Sequence, residues 1–161
     1  MGEIYCGFAP AYYENSKVLI LGSFPSVKSR KNEFYYGNSQ NRFWRVVSSY
    51  FGKEVPKTNG EKLAFLKKTK LALWDIVTEC EIVGSQDATI KNFKVADIKT
   101  LLQNSKIEFI ILNGSKAFEI FEKYYGDLEI PYIRLPSTSP ANTRFIEKEW
   151  HDALSRAFKQ A

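Results

Sequence analysis

The sequence predicts an α/β fold, a three-layer sandwich in which helices cover both faces of a central four-stranded parallel sheet. Short apolar runs typical of strands alternate along the chain with segments whose apolar residues recur at helical spacing. The strand runs are apolar without interruption, which indicates burial on both faces, as in a parallel sheet. No repeat, low-complexity tract or linker breaks the alternation, and 161 residues suffice for a single domain, 1–161, with a sizeable core.

Four strands are predicted from apolar runs, each followed by residues that break regular structure. They are Lys17–Gly22, Leu71–Val77, Ile107–Leu112 and Ile130–Leu135. The carboxyl ends of parallel strands meet at one edge of a sheet, and ligands bind in the crevice outside that edge. The segments that follow the strands are Gly22–Tyr36, Asp75–Asp87, Asn113–Gly114 and Pro136–Arg144. We therefore expect these four segments to form the functional site.

Five helices are predicted from apolar residues spaced three or four positions apart. They run over about Asn41–Phe51, Glu61–Lys68, Val95–Gln103, Ser115–Tyr125 and Arg144–Phe158. Gly52 and Gly126 follow two of these helices and are typical stop signals, and Thr58–Asn59 precedes another as a capping signal. In the last predicted helix, Ile146, Trp150, Leu154 and Ala157 recur at helical spacing.

The composition excludes several kinds of site. The two cysteines, Cys6 and Cys80, are too few for a disulfide framework or a four-thiolate iron–sulfur site. The one histidine, His151, lies in a helical pattern, and no cluster has the spacing of a zinc site. We therefore expect no metal and no other cofactor. No signal peptide and no membrane-spanning run is apparent, so we expect a cytoplasmic protein.

The positive charge is concentrated in one stretch. Between Lys17 and Arg45 there are six basic residues and a single acidic one, so this stretch accounts for the whole net charge of +5. Lys28, Arg30 and Lys31 lie at its centre, directly after the first strand. A positive loop beside strand ends suits a polyanion, and nucleic acid is the commonest one. Solvated loop lysines explain the charge equally well when it is taken alone.

The first motif reads GSFPS and ends the first strand. Gly22 lets the chain turn, Pro25 stiffens the turn, and Ser23 and Ser26 offer hydroxyl groups. The motif alone is a weak signal, because glycine and proline follow most strands. Its place at a strand end nevertheless makes it a candidate for binding a ligand.

The second motif reads YYGNSQNRFW and covers Tyr35–Trp44. Tyr36 could stack on a nucleic-acid base, a contact that contributes about 1–3 kcal/mol. Asn41 stands at the predicted start of a helix, where its amide could orient a water molecule. A structural interpretation is that Asn38 or Ser39 caps this helix. Both interpretations can hold together, because capping and ligand binding use different atoms.

The third motif reads LPSTSPANTR and covers Leu135–Arg144. Two prolines frame a hydroxyl-rich loop that precedes the last predicted helix. Such a loop can contact phosphates through hydroxyl groups and backbone amides, or insert into a duplex. Taken alone, it is better explained as a strand-to-helix connection in which Asn142 or Thr143 caps the helix.

Together these segments resemble the uracil-DNA glycosylase superfamily, and in particular its hypoxanthine-DNA (deoxyinosine) glycosylase branch, which is related to the mismatch-specific uracil glycosylases. The matching segments are GSFPS at 22–26, YYGNSQNRFW at 35–44, ALWD at 72–75, GSQDATI at 84–90, LNG at 112–114 and LPSTSPAN at 135–142. They occur in the family's order and span most of the chain. The resemblance implies a monofunctional DNA-repair enzyme that flips out a deaminated base, cleaves its N-glycosidic bond and leaves an abasic site.

The resemblance also assigns roles to single residues. The first motif of the superfamily usually carries a catalytic Asp or Asn where this chain has Phe24, which cannot activate water. This departure argues against ordinary uracil chemistry and agrees with the hypoxanthine branch, in which the asparagine of the N-R-F-W segment, here Asn41, takes over. Tyr36 matches the base-stacking aromatic residue. Leu135 stands where many relatives have His or Asn, so that side chain cannot stabilise the leaving group.

We expect three groups of site residues. The catalytic residues are Asn41, which would position water, and Asp87, which would stabilise the sugar cation or accept a hydrogen bond from the base. The base-binding residues are Ser23, Phe24, Pro25, Tyr36 and Asn113. The DNA-binding residues are Lys28, Arg30, Lys31, Ser137, Ser139, Asn142 and Arg144. A structural role for Asp87 is equally open, and Asp75 is expected to be a strand-end or helix-cap carboxylate.

The expected partner is DNA that contains a deaminated base, bound by a monomer without a membrane, metal or iron–sulfur cluster. Two alternatives stay open. One is excision of uracil or thymine from mismatches, because relatives often share substrates. The other is a catalytically silent DNA-binding module, which the presence of Asn41 and Tyr36 makes less favourable. A Rossmann or P-loop domain is disfavoured, because neither G-x-G-x-x-G nor G-x-x-x-x-G-K-[ST] occurs.

Overall fold

The computed structural model of the chain describes residues 3–160. In chain order the strands are β1 (Ile4–Cys6), β2 (Val18–Gly22), β3 (Leu71–Asp75), β4 (Val77–Glu81), β5 (Lys91–Val95), β6 (Phe109–Asn113) and β7 (Tyr132–Leu135). The α-helices are α1 (Val27–Asn32), α2 (Phe43–Phe51), α3 (Asn59–Thr69), α4 (Ile98–Gln103), α5 (Ser115–Tyr125) and α6 (Glu147–Gln160). The ends of the predicted domain 1–161, namely residues 1, 2 and 161, lie outside the described residues.

A four-stranded parallel sheet in the order β3-β2-β6-β7 forms the centre of the fold, which confirms the predicted sheet. β2 lies between β3 and β6, and all of its residues are buried. Because side chains alternate across a strand, Val18 and Ile20 enter the core on one face, and Leu19 and Leu21 enter it on the other. This central position explains why the sequence of β2 is apolar without alternation.

Helices cover both faces of the sheet and complete the three layers. α2, α3 and α6 pack on one face, where Phe43, Leu66 and Trp150 are fully buried. α4 and α5 contribute Ile98 and Phe121 to the core on the other face. Burying such a side chain contributes about 1.5–3 kcal/mol, so the two apolar layers fix the sheet and the positions of its strand ends. Within residues 3–160, no helix is both long and apolar enough to cross a membrane.

A second sheet, with three antiparallel strands in the order β1-β4-β5, is not apparent in the sequence. The predicted strand Leu71–Val77 in fact ends at Asp75, and Val77 begins β4 in this second sheet. Ile76, between the two strands, is fully buried. The apolar run therefore continues across the boundary between the sheets and conceals it.

Three helices begin later than the sequence predicts, α2 by two residues and α4 and α6 by three residues each. α4 begins at Ile98 instead of Val95, because Val95 is the last residue of β5 and Asp97 caps the helix. α6 begins at Glu147 instead of Arg144, because the preceding residues form turns. The other ends agree more closely, and α5 has the predicted bounds.

The basic stretch after β2 contains the short helix α1 where the sequence predicts a loop. The hydroxyl group of Ser26 caps this helix by accepting a hydrogen bond from the N–H of Ser29, at 3.1 Å. The prediction of a loop is wrong because this six-residue helix contains one apolar residue, Val27, and so has no helical apolar pattern. The helix decides which of its basic side chains face solvent: Lys28 and Lys31 lie nearly one turn apart and both are exposed.

Candidate active site

A cavity of about 530 Å³ lies at the carboxyl ends of the parallel strands. The predicted site residues that line it are Ser23, Phe24, Pro25, Tyr36, Asn41, Asp87, Asn113, Ser137, Ser139 and Asn142. The predicted residues that do not line it are Lys28, Arg30, Lys31 and Arg144. Its volume falls in the range of about 300–1,000 Å³ that is usual for small-ligand sites. The structure thus brings the catalytic and base-binding candidates together and leaves the basic ones outside.

Gly22, Asp75 and Tyr36 lie against one another in this cavity, and we call these three residues the cavity floor. A Cβ atom at position 22 would lie 2.5 Å from Oδ1 of Asp75 and 3.2 Å from the hydroxyl oxygen of Tyr36. The first distance is too short for two non-bonded atoms. Glycine is therefore required here because the Asp75 carboxyl group approaches the backbone closely, and not because of the turn that follows.

Asp75 has the strand-end position that the sequence predicts, and it also lines the cavity, which the sequence does not predict. It ends β3, as expected, but it caps no helix; it is 5% exposed, and its Oδ2 has no hydrogen-bond partner within residues 3–160. Burial, and to a smaller extent the charge of Asp87, raises the pKa of Asp75 to about 8, so the carboxyl group is mostly protonated at neutral pH. The sequence signal that points to it is an aspartate directly at the end of an apolar run, ALWD.

Tyr36 lines the cavity in an unusual backbone conformation, with φ at 54°. Its ring stacks on that of Phe43, with 4.2 Å between ring centres and 28° between ring planes. Its buried hydroxyl group has no hydrogen-bond partner of good geometry among the described residues. Burial raises the pKa of Tyr36 far above its usual range, the charge of Asp75 raises it further, and the Asn113 side chain partly offsets this. Since Phe43 covers one ring face, a ligand can contact only the other face or the hydroxyl edge.

Asn41 lies in the cavity just before α2. Its Oδ1 accepts a hydrogen bond from the N–H of Phe43 at 2.9 Å, which fixes the side chain. Neither Asn38 nor Ser39 caps α2, because Asn38 accepts a hydrogen bond from the N–H of Gln40 instead. The Nδ2 group of Asn41 makes no hydrogen bond within residues 3–160. Two N–H donors and one oxygen lone pair therefore remain for a water molecule or a ligand.

Asp87 is the more exposed of the two carboxyl groups in the cavity, and it begins a 3-10 turn, Asp87–Thr89. The hydroxyl group of Ser23 donates a hydrogen bond to its Oδ1 at 2.7 Å, which links the end of β2 to residues 82–90. Loss of hydration raises the pKa of Asp87, whereas the Ser23 hydrogen bond and the charge of Lys116 lower it. In the described part of the chain, no group of three or more His, Cys, Asp or Glu side chains could hold a metal ion.

Asn113, at the end of β6, is tied to the loop that follows β7. Its Nδ2 donates a hydrogen bond to Oγ1 of Thr138, and its Oδ1 accepts one from the N–H of the same residue, both at 3.0 Å. Both residues are buried. The Asn113 side chain also lies within hydrogen-bonding reach of the Tyr36 hydroxyl group, so a base contact would share this side chain with its anchoring role.

Residues 136–144 form a loop that is held by its own hydrogen bonds. The hydroxyl group of Ser137 accepts one from the N–H of Ser139 at 3.1 Å, and Nδ2 of Asn142 donates one to the carbonyl of Ser137 at 2.9 Å. Oδ1 of Asn142 accepts one from the N–H of Arg144 at 3.0 Å, so this side chain stabilises a turn and does not cap α6. The loop is thus ordered before any DNA binds.

Arg42 connects two parts of the site and is not among the predicted site residues. Its backbone N–H donates a hydrogen bond to the carbonyl of Thr138, and its Nη1 donates one to the carbonyl of Ser139, both at 3.0 Å. Its guanidinium carbon also lies 5.0 Å from the ring centre of Phe145. Because Arg42 directly follows Asn41, these contacts fix the position of Asn41 relative to the loop at 136–144. Its place inside the NRFW segment is the sequence signal for this role.

The four predicted phosphate-binding cations differ in their surroundings. The three that are exposed are Lys28, Lys31 and Arg144. Arg30 turns inward and donates hydrogen bonds to the carbonyls of Pro25, at 3.2 Å, and Gly84, at 2.8 Å. Its guanidinium carbon lies 5.4 Å from the ring centre of Phe24, which is itself buried in the core. Arg30 therefore holds the loop at 82–87 against α1.

Comparisons with known proteins find similar sequences and a similar fold. The model of the Uracil DNA glycosylase superfamily matches residues 10–158. Hypoxanthine DNA glycosylase from Methanosarcina acetivorans is 38% identical over 149 residues, which cover 89% of this chain and 94% of that protein. The protein of the same name from Methanosarcina barkeri is 31% identical over 155 residues, or 93% of this chain and 98% of that protein. A solution NMR structure from Methanosarcina acetivorans, described as a possible uracil DNA glycosylase, matches with a TM-score of 0.84 and 34% identity over 97% of this chain and 99% of that one.

Proposed function

The chain belongs to the uracil DNA glycosylase superfamily, and we propose that it is a monofunctional DNA glycosylase that excises hypoxanthine from deoxyinosine in DNA and leaves an abasic site. The observation that supports this most is the single cavity in which Asn41, Tyr36 and Asn113 meet at the strand ends. Phe24 offers no group that could activate water there. Two similar proteins carry the name hypoxanthine DNA glycosylase.

The substrate base has to leave the duplex to reach the cavity, since a stacked base cannot contact residues below the protein surface. The ring face of Tyr36 that Phe43 leaves uncovered would then stack on the flipped base. Such stacking contributes about 1–3 kcal/mol. Ser23 and Pro25, which line the same cavity, would border the base at its edge.

Asn41 would position the water molecule that attacks C1′ of the sugar. An amide is too weak a base to remove a proton from water, but a sugar with oxocarbenium character needs only a well-oriented nucleophile. The hydrogen bond from the N–H of Phe43 holds the Asn41 amide in one orientation. This fixed orientation supports the proposed role of Asn41.

Asp87 would stabilise the positive charge that develops on the sugar as the glycosidic bond breaks. A negative group positioned before the reaction stabilises such a charge without reorganising. Loss of hydration raises the pKa of Asp87, but the hydrogen bond from Ser23 and the charge of Lys116 act against this and favour the ionised form. These contacts support a role as a carboxylate.

The exposed cations outside the cavity, Lys28, Lys31 and Arg144, would contact DNA phosphates. Binding would therefore weaken steeply as the salt concentration rises. The ordered loop at 136–144 would grip the strand and fill the space that the flipped base leaves. We further propose that the enzyme acts as a monomer on chromosomal DNA in the cytoplasm.

The test is a single-turnover assay without added metal, on duplexes that contain deoxyinosine, deoxyuridine or deoxyxanthosine, followed by alkaline cleavage of abasic sites. We expect cleavage at deoxyinosine, and we expect Asn41→Ala to slow it by about 10²-fold, the loss that follows when a reacting group is no longer held in position. Asn104→Ala is a matched control, because Asn104 is exposed and precedes β6, at the opposite edge of the sheet.

The outcomes separate the candidate functions. Cleavage at deoxyuridine but not at deoxyinosine would replace the proposal with uracil excision. Duplex binding without cleavage of any lesion would favour a silent DNA-binding module. Near-normal excision by a folded Asn41→Ala variant would rule out the proposed role of Asn41.

A further inference from the structure

The cavity floor holds two buried polar groups that have no partner. Oδ2 of Asp75 and the hydroxyl oxygen of Tyr36 are both inaccessible to solvent and form no hydrogen bond of good geometry within residues 3–160. Both lie beside Gly22, where only a glycine leaves them room. Buried polar atoms in folded proteins nearly always have a partner, and a catalytic role is one reason for an exception, so the unpartnered carboxyl group of Asp75 at this cavity points to such a role.

Burial, and to a smaller extent the charge of Asp87, keeps Asp75 in its acid form. The titratable side chains that face it are Asp87 from the 3-10 turn, and Tyr35 and Tyr36 from the segment before α2. None of them is a cation, and no salt bridge in the described part of the chain includes Asp75. Its carboxyl group is therefore a hydrogen-bond donor at neutral pH, which an ionised carboxylate cannot be.

We propose that Asp75, as a neutral carboxylic acid, donates its proton to the flipped base while the glycosidic bond breaks. This proposal rests on the proposed function and adds a catalytic residue to it. Asp75 is suited to this task because it lies in the cavity that would receive the base and has no other partner. The end of β7 offers no substitute, since Leu135 is apolar and buried in the core.

Proton transfer from Asp75 accompanies the breaking of the glycosidic bond. The bond between C1′ and N9 breaks, and its electron pair goes to the base. The proton of the Asp75 carboxyl group moves to a ring nitrogen, so the base leaves as neutral hypoxanthine. The oxygen of the water held by Asn41 bonds to C1′, and one water proton goes to solvent. Asp75 regains a proton from solvent after the base departs, so the net reaction consumes one water molecule.

The test is the pH dependence of single-turnover excision of deoxyinosine, for the full chain and for two variants. For the unchanged chain we expect a rate that falls above about pH 8, where Asp75 ionises. Asp75→Asn keeps a hydrogen-bond donor but has no proton to transfer. We expect it to be slower by about 10²–10⁴-fold and to lack the fall above pH 8.

Asp87→Asn tests the same proposal without changing Asp75. Because the charge of Asp87 raises the pKa of Asp75, its removal should move the fall in rate to lower pH, whatever happens to the rate itself. Asp127→Asn is the control, because Asp127 is exposed and does not line the cavity. Its pH profile should match that of the unchanged chain.

Failure of this proposal and failure of the proposed function look different. If the unchanged chain does not cleave deoxyinosine at any pH, the proposed function is wrong. If it cleaves deoxyinosine and Asp75→Asn matches it in rate and pH profile, only the proposal for Asp75 is overturned. A slow Asp75→Asn variant that still loses rate above pH 8 would also overturn it, since Asp75 would then act through position alone. If this variant does not fold, the profiles of the unchanged chain and of Asp87→Asn decide.

Discussion

The interior of the parallel sheet and its carboxyl ends are made by the same strands but serve opposite purposes. Ile20, Leu73 and Ile111 lie side by side in β2, β3 and β6, and all three are fully buried. Two residues after Ile20 and Leu73, the strands end in Gly22 and Asp75, where the side chain of Asp75 is buried with an unpartnered oxygen atom. Apolar packing is complete in the interior, whereas hydrogen bonding is incomplete at the ends.

This difference indicates that the sheet interior provides stability and that the cavity floor provides activity. A buried polar group without a partner costs about 1–3 kcal/mol, and the cavity floor contains two of them. The apolar interior offsets this cost and keeps the polar groups from rearranging. Changes in the interior should therefore lower stability, and removal of the unpartnered polar groups of Asp75 and Tyr36 should raise stability while it alters excision.

The largest expected change in stability comes from the interior. Ile111→Ala should lower the free energy of unfolding by about 2–5 kcal/mol, because it removes a fully buried side chain and leaves a cavity. Urea unfolding monitored by circular dichroism measures this change in the free energy of unfolding. Ile146→Ala is the control, because Ile146 is 52% exposed and its truncation should have little effect. If folded Ile111→Ala also lost excision activity, the division between the two regions would not hold.

A change in stability of intermediate size, and of opposite sign, is expected when Asp75 in the cavity floor is replaced by asparagine. The Asp75 carboxyl group ionises near pH 8 in the folded protein and near pH 4 in the unfolded chain. Between these values the unfolded chain binds fewer protons, so the stability of the unchanged protein falls as the pH rises. Asp75→Asn carries no such proton and should be more stable by roughly 3 kcal/mol at pH 6, about two pH units above the pKa of the unfolded chain.

Below pH 4 the carboxyl group of Asp75 is protonated in both states, so the advantage of Asp75→Asn should disappear there. Thermal unfolding at a series of pH values measures this difference. Asp127→Asn, at an exposed position, should show no comparable pH dependence. An Asp75→Asn variant less stable than the unchanged protein at pH 8 would mean that the carboxyl group has a favourable partner.

The smallest change in the free energy of unfolding is expected for Tyr36→Phe. It removes the buried, unpartnered hydroxyl group and keeps the ring that stacks on Phe43, so it should raise stability by about 1 kcal/mol. Tyr50→Phe is the matched control of opposite sign, because the Tyr50 hydroxyl group accepts a hydrogen bond from Ser155 at 3.2 Å. Chemical unfolding compares the two, and equal losses of stability would show that Tyr36 has a partner after all.

The predictions from sequence succeeded where a pattern is local and repeated. The bounds of α5 were predicted without error, because its apolar residues follow a helical period and Gly126 follows its end. The antiparallel sheet was missed because its strands are short and a strand such as β5 is largely exposed, so the apolar signal is weak. The predicted strand Leu71–Val77 joined two strands, because the apolar run does not stop between the two sheets.

The sequence by itself determined the parallel sheet, the edge where its polar segments meet, and the set of residues around Asn41 and Tyr36. These follow from periodicity and from the order of motifs along the chain. Only the tertiary structure decided that Arg30 turns inward and that Asp75 is buried beside Gly22 and Tyr36. The physical reason is that burial and protonation depend on neighbours from distant segments, and no local pattern records which segments those are.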